Sequence, residues 1–212
     1  MPQRERFPYS LLKSPLVDIT YQWLIGANRA RDHFSQRYIV STGAESVLDL
    51  GCGNADLLSF YSPKHYTGVD MNADAIACAR QRYPDTGRHI QVDALRFLSD
   101  TPHRYDLILA AGLLHHLCDD AAERLVALAR RALTGHGRLV TIDPLYLPRQ
   151  RMLARYLIQL DRGSNIRDEN GYLDIAQRHF PCVESHHHGN LLRIPYDHFV
   201  MVCFANTPGE CL

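Results

Sequence analysis

The sequence lacks net charge and long apolar runs. Its 23 lysines and arginines balance 23 aspartates and glutamates, so the surface has no general attraction for phosphate backbones. No apolar stretch approaches membrane-spanning length, and the opening residues MPQRERFPYS lack the apolar core of a secretory signal. These absences predict a cytoplasmic protein without a nucleic-acid or membrane partner. The sequence leaves its oligomeric state open.

Metal-binding patterns are also missing. The six cysteines, at positions 52, 78, 118, 182, 203 and 211, fit neither a zinc site nor a disulfide ladder, which predicts free thiols in a reducing compartment. Three consecutive histidines occur at 186–188. On a strand only His186 and His188 would share a face, and no acid or cysteine lies at a telling spacing. We expect a polar edge strand and no metal.

Short apolar runs alternate with helical periodicity from residue 46 onward. This alternation predicts parallel strands joined by right-handed helical crossovers. The predicted strands are 46–50, 66–70, 89–92, 105–110, 137–142, 182–187 and 198–204. The predicted helices are 15–40 (with a break near Gly26), 55–61, 73–83, 119–133 (closed by Gly135), 149–160 and 169–178.

The fold class that follows is α/β: a Rossmann-like, doubly wound, mostly parallel seven-stranded sheet. Its last two strands have no helix between them, so they should form a C-terminal antiparallel hairpin. We expect one domain over residues 1–212, with an N-terminal helical lid or cap at 1–42. The cofactor-binding core should occupy 43–144, and substrate-side helices and the final strands 145–212.

A Gly-x-Gly turn follows the first predicted strand. Gly51 and Gly53 permit a tight turn and leave space for a ligand against the backbone, while a helix after the turn would direct its N–H groups at an anionic group. About 20 residues beyond Gly51, Asp70 ends the second strand, where an acid can bind ribose hydroxyls. Asp93 ends the third and could meet an adenine amino group. Together these positions predict a nucleoside site.

From residue 46 to about 142 the sequence resembles the class I S-adenosylmethionine-dependent methyltransferases. VLDLGCGNAD is similar to the family's first motif, YTGVDMNADAI to the second, IQVDALRF to the third and YDLILAAGLLHHL to the fourth; LTGHGRLVTIDP resembles the fifth strand region. The resemblance implies S-adenosylmethionine as cofactor and methyl transfer to an oxygen, nitrogen or carbon of a small molecule.

The resemblance also implies cofactor contacts, position by position. The methionine moiety would be framed by Asp49, Gly51 and Gly53, with Cys52 in the same turn. Asp70 would hold the ribose, and Met71 would pack on the adenine. Asp93 and Ala94 would read the adenine edge, and Ala111 and Gly112 would lie beneath the sulfonium.

Two other functions remain open from the residues. NAD-dependent oxidoreductases share a glycine turn and a ribose acid, but they usually carry G-x-G-x-x-G, whereas GCGNAD lacks the third glycine. A non-catalytic S-adenosylmethionine-binding module would keep the same motifs and act through protein contacts. Nucleic-acid methylation fits less well, because the fourth motif lacks an Asn-Pro-Pro type sequence.

Catalytic and substrate-binding candidates carry weaker signals. His115 and His116 follow the fourth strand, where one could act as a general base or both could pack a helix and the cofactor. Arg162 and Arg167 could pair with an anionic substrate, although Arg162 could equally lie at a helix end that Gly163 caps. Tyr21 could reach the site from an N-terminal lid, or its helix could simply pack on the sheet edge.

Overall fold

A computed structural model describes residues 24–40, 44, 46–160 and 163–206. Seven strands form one sheet in the order β3-β2-β1-β4-β5-β7-β6. The first five pair in parallel, whereas β7 runs antiparallel to both β5 and β6. The predicted fold class is confirmed, including the C-terminal hairpin.

The elements alternate along the chain as the sequence pattern predicts. The strands are β1 (Ser46–Leu50), β2 (His65–Asp70), β3 (Arg88–Gln91), β4 (Tyr105–Ala111), β5 (Leu133–Pro144), β6 (Cys182–His188) and β7 (His198–Phe204). The α-helices are α1 (Ala27–Phe34), α2 (Ala73–Arg82), α3 (Ala94–Asp100), α4 (Asp119–Ala132), α5 (Met152–Gln159) and α6 (Glu169–Gln177).

Burial on both faces explains the continuous apolar strands. Leu107, Ile108 and Leu109 are successive residues of β4, and all three are fully buried. Leu107 and Leu109 pack in one core cluster and Ile108 in the other, because alternate side chains point to opposite faces. The sheet therefore separates two apolar layers, as a doubly wound fold requires.

Three local expectations need correction. The segment 55–61 contains only a 3₁₀ turn, Asp56–Ser59, so the glycine turn leads into no α-helix. Helix α3 was not predicted, although Asp93 caps it by accepting from the Arg96 N–H. Gly135 does not close α4, because Leu133 is already extended and starts β5 directly.

The N-terminal helix is described only from residue 24. Within that part, Gly26 adopts a left-handed conformation (φ 77°) immediately before α1, which agrees with the predicted break. A π-helical segment, Ser35–Ile39, continues from α1. In the described ranges, no helix combines the length and apolarity needed to cross a membrane.

Candidate active site

The order of the strands reverses between β1 and β4, and this switch point opens a crevice beyond their carboxyl ends. A cavity of about 770 Å³ lies at this edge, a size typical of small-molecule sites. Six residues that the sequence singled out line it: Asp49, Gly51, Cys52, Ala111, Gly112 and His115. Strands that end at one edge thus bring together residues from distant parts of the chain.

The glycine turn is held in place by the neighbouring strand. The backbone N–H groups of Gly51 and Cys52 both donate to the Val69 carbonyl, at 2.8 and 3.0 Å. Gly51 and Gly53 have positive φ angles, 71° and 53°, which L side chains rarely adopt. A Cβ on Gly53 would meet no atom within 4 Å, so a ligand can approach the backbone there.

Asp70 ties the turn to the end of β2. Its Oδ2 accepts from the Gly53 N–H at 2.9 Å and its Oδ1 from the Asn72 N–H at 2.8 Å. Each carboxylate oxygen can accept a further bond, so both keep capacity for a hydroxyl group. Asp70 does not line the 770 Å³ cavity but lies next to the turn that does.

The remaining predicted adenosine contacts lie away from the cavity. Met71 follows Asp70 and is 69% exposed. Strand β3 ends at Gln91, one residue earlier than the predicted strand 89–92, and Asp93 caps α3 while Ala94 begins it. The structure thus places Met71, Asp93 and Ala94 after β2 and β3, beside the glycine turn in the sheet order rather than within the cavity.

Asp49 is buried beneath the turn, where its Oδ2 accepts a 3.0 Å bond from the Tyr66 hydroxyl. Burial raises the pKa of Asp49 to about 7, the Tyr66 hydrogen bond lowers it, and nearby Asp70 raises it further. Burial likewise raises the pKa of the Cys52 thiol. This cavity wall therefore contains a carboxyl group that changes charge near neutral pH.

The raised pKa of Asp49 makes stability depend on pH. The folded chain holds the proton of Asp49 more tightly than the unfolded chain does. The stability that this proton confers is therefore complete below pH 3.8, the ordinary pKa of the group, and is lost as the pH rises through about 7. Asp49→Asn keeps the shape but removes the titration. In thermal melts without cofactor, the variant should gain about 5 °C in Tm over the wild type between about pH 5 and pH 8. A constant Tm difference would contradict this.

His115 and Asp143 form a buried pair in the cavity wall. The Nδ1 of His115 lies 2.8 Å from Oδ1 of Asp143, and the same oxygen accepts the backbone N–H of His115 at 3.1 Å. Burial raises the pKa of Asp143, and the bonds from His115 lower it. The other carboxylate oxygen, Oδ2, is buried without a protein hydrogen-bond partner. A histidine oriented by a carboxylate in a cavity can accept a proton from a bound molecule.

A loop closes over His115. A Cβ on Gly163 would collide with the His115 ring, so glycine is needed for this approach. The Asn165 N–H donates to the His115 carbonyl at 3.0 Å. His116, by contrast, is exposed, does not line the cavity and lies against the His115 ring at a centroid distance of 4.1 Å. Of the two histidines, the structure places His115 at the site.

Arg167 lies outside the cavity, contrary to its expected contact with substrate. Its five N–H donors make five internal bonds: two to Asp119 Oδ1 and one each to the carbonyl oxygens of Leu114, Leu117 and Asn165. No donor of Arg167 is left for an anionic substrate, and the guanidinium instead fastens the 163–167 loop to the segment that carries His115. Tyr21 and Arg162 lie outside the described residues.

The histidine run follows the predicted alternation on β6, which is an edge strand. His188 Nε2 lies 2.7 Å from the Tyr38 hydroxyl, and the His186 ring packs on Tyr38 at 5.5 Å. His187, on the other face, pairs with Asp197 at 2.8 Å. Where the structure describes the chain, no His, Cys, Asp and Glu side chains cluster in a way that could hold a metal ion.

The sequence analysis did not identify several of the residues that line the cavity. Asp143 is 28 positions from His115, and only its place at the end of a predicted strand, before Pro144, marks it. The arginine in the wall, Arg31, comes from α1 and pairs with Asp56 at 3.2 Å. The other walls are mostly apolar: Ile25, Phe34, Leu57, Ile142, Leu157, Leu160, Leu191, Leu192 and Ile194.

Comparison with known proteins shows that the residues around this site resemble those of methyltransferases. Residues 48–139 match the family described as a methyltransferase domain. An uncharacterized methyltransferase from Bacillus licheniformis is 24% identical over 151 residues, 68% of this chain and 67% of the relative. A ubiquinone biosynthesis O-methyltransferase from Aeromonas salmonicida is 31% identical over 81 residues, 36% of this chain and 34% of the relative.

A solved structure shares the fold over nearly the whole chain. The plantazolicin methyltransferase BamL, in complex with a triazolic desmethylPZN analog and SAH, superposes with a TM-score of 0.67. The match covers 93% of each chain at 12% identity. The chain spans between about a third and two thirds of the length of the curated relatives above.

The reversed strand order, the open glycine turn and the acid at the end of β2 define a nucleoside-binding protein of the Rossmann-like class. The sequence match across that same region then decides between cofactors. Residues 48–139 match a methyltransferase domain, and this match supports a class I S-adenosylmethionine-dependent methyltransferase with S-adenosylmethionine as its cofactor.

The residues present fit that cofactor. Open space over Gly53 and free acceptor capacity on Asp70 suit a ribose beside the turn. Asp49 and Arg31, both in the cavity wall, offer the opposite charges that an amino-acid ammonium and carboxylate require. The match to a methyltransferase domain therefore favours this cofactor over the NAD of the oxidoreductase that the glycine turn alone left open.

Proposed function

We propose that this methyltransferase methylates a small, largely apolar molecule at an atom that gives up a proton to His115. The observation that carries the proposal is one cavity whose wall includes both the glycine turn and the His115–Asp143 pair. A protein that only bound the cofactor would have no need of a buried base oriented in the same cavity.

The cofactor would lie along the edge formed by β1, β2 and β4. When bound, its sulfonium supplies an activated methyl group. The residues that we propose to contact it are Asp49, Gly51, Cys52, Gly53, Asp70, Met71, Asp93, Ala94, Ala111 and Gly112. To these we add Arg31, because it lines the cavity and no lysine or other arginine does so among the described residues.

His115 is proposed as the general base. Since its Nδ1 is engaged by Asp143, a proton from the acceptor would pass to Nε2. Asp143 holds the ring in one orientation and stabilises the imidazolium that forms. A neutral hydroxyl must lose a proton as it is methylated, whereas a tertiary amine need not, so this pair favours a hydroxyl acceptor such as a phenol.

The apolar walls set the kind of acceptor. Leu157 and Leu160 line the cavity from one side, and Leu191, Leu192 and Ile194 line it from the loop before β7. Apolar walls bind a ligand by removing its apolar surface from water. Apolar rings or chains with a single ionisable hydroxyl fit this lining better than highly charged metabolites.

The remaining parts of the proposal concern organisation and location. In one domain over 1–212, residues 1–42 would cap the cavity through α1, 43–144 would hold the cofactor, and 145–212 would face the acceptor. The cavity walls from α1, β1, β4 and the 157–198 region support this division. The described cysteines are all free thiols, which supports a reducing, cytoplasmic location.

Two measurements test the function in sequence. Isothermal titration should show binding of S-adenosylmethionine and S-adenosylhomocysteine but not of NADH. A panel of phenols should then give S-adenosylhomocysteine at rates well above the protein-free background, while tertiary amines of similar size should not. Cofactor binding without turnover on any phenol would overturn the proposed acceptor class, and absence of cofactor binding would overturn the whole proposal.

A further inference from the structure

Helix α5 exposes an apolar surface next to the cavity. Met152 is 89% exposed, and Leu153 and Tyr156 are each 57% exposed. These three residues, which we name the α5 patch, make up half of the large apolar side chains that are exposed in the described ranges. Such a concentration in a helix of eight residues indicates a contact surface rather than scattered exposure.

Positive charge surrounds the α5 patch. Arg149, Arg151 and Arg155 are exposed within the same segment, and no acidic residue occurs between Pro144 and Leu160. An exposed helix with large apolar side chains beside arginines has the composition of a segment that lies in the interface of an anionic bilayer. An anionic phospholipid surface presents phosphates for the arginines and, directly beneath them, an apolar layer for the large side chains. A protein partner would need a surface that combines acidic and apolar groups in the same arrangement.

The patch is continuous with the cavity wall. Leu153, Leu157 and Leu160 follow one another at helical spacing, so they lie along one side of the helix. Leu153 belongs to the patch, whereas Leu157 and Leu160 line the cavity. The helix is anchored on its other side by the buried side chains of Ala154 and Ile158. The α5 patch and part of the cavity lining therefore share one apolar stripe along the helix.

We propose that α5 docks on an anionic phospholipid surface and that the acceptor enters the cavity from that surface. The apolar side chains of the patch insert at the headgroup boundary, and the three arginines pair with lipid phosphates. Entry of the acceptor rests on the proposed function, whereas docking does not. The expectation of no membrane partner came from the lack of a spanning run, which has no bearing on surface binding.

Vesicle flotation of the full chain tests docking directly. The protein should float with vesicles of phosphatidylcholine and phosphatidylglycerol (7:3) in dilute salt, and hardly at all with phosphatidylcholine alone or in concentrated salt. Arg149→Gln/Arg151→Gln/Arg155→Gln should weaken binding about fivefold per arginine removed, roughly 100-fold in total. Met152→Ser/Leu153→Ser should also weaken it.

Matched variants elsewhere serve as controls. Arg88→Gln/Arg104→Gln/Arg131→Gln removes the same charge from exposed positions outside α5, and Val40→Ser removes a 48% exposed apolar side chain. Both should bind vesicles almost as the wild type does. Equal losses in these controls, or no binding of the wild type to anionic vesicles, would overturn the proposal.

Two further measurements separate the remaining outcomes. If analytical ultracentrifugation showed a wild-type dimer that Met152→Ser/Leu153→Ser made monomeric, a second copy of the chain would cover the patch and docking would be wrong. Titration with S-adenosylmethionine should give the same affinity for the patch variants as for the wild type. Failure of the wild type to bind this cofactor would count against the proposed function and leave the vesicle result intact.

Discussion

His115→Ala should lower kcat by about 10²–10³-fold while leaving the affinity for S-adenosylmethionine within about threefold, since a general base acts on the transition state. The ring is buried in the cavity wall and Asp143 holds its Nδ1 at 2.8 Å. Initial rates of S-adenosylhomocysteine formation, with the best phenol from the acceptor panel, measure the effect. Titration calorimetry measures the affinity.

A double-mutant cycle identifies Asp143 as the residue that positions His115. Asp143→Asn alone should reduce kcat, but it should cause little further loss when added to His115→Ala, because the pair acts as a unit. His116→Ala is the matched control, since that ring is exposed and outside the cavity; it should change kcat less than about fivefold. Additive losses in the double variant would show that Asp143 acts without His115.

Asp70→Ala should weaken binding of S-adenosylmethionine and S-adenosylhomocysteine by roughly 10²-fold or more, since hydrogen bonds to a charged acceptor contribute about 1.5–3 kcal/mol each. The carboxylate lies at the end of β2 and already accepts from Gly53, so its removal also frees the glycine turn. Calorimetric titration of both ligands gives the change in Kd directly.

Two controls separate loss of contact from loss of structure. Asp74→Ala removes an exposed carboxylate from the first turn of α2, and it should bind the cofactor as the wild type does. Asp70→Asn keeps the size of the side chain and one acceptor oxygen, so its Kd should lie between those of Asp70→Ala and the wild type. An unchanged Kd for Asp70→Ala would show that the nucleoside lies elsewhere.

Much of the fold could be predicted because it depends on local patterns. Apolar runs such as Leu107–Leu109 are long enough to mark strands buried on both faces, and the absence of a helix between β6 and β7 predicts their hairpin. Short elements were harder. Helix α3 has only seven residues, and the Asp56–Ser59 turn has four, so neither contains enough periods for its pattern to be distinctive.

The candidate site also contains residues that local patterns could locate and contacts that they could not. Gly51 and Asp70 lie at the sheet edge where the sequence pattern put them, because each follows or ends a parallel strand and all such carboxyl ends share one edge. Their contact with the cofactor stays a prediction. The contact of His115 with Asp143 could not be predicted, since any acid after β4 or β5 was an equal candidate. The five hydrogen bonds of Arg167 could not be predicted either, because four of them go to acceptors that lie about 50 positions away in the sequence, on Leu114, Leu117 and Asp119.

The sequence by itself determined the seven-stranded sheet with its C-terminal hairpin, most of the helices and the glycine turn at the sheet edge, because these follow from spacing along the chain. Only the tertiary structure decided which histidine meets a carboxylate, that Arg167 is consumed by internal bonds, and that Asp49 titrates near neutral pH. These properties depend on distances across the fold and on the removal of charged groups from water, and neither is written in the order of residues.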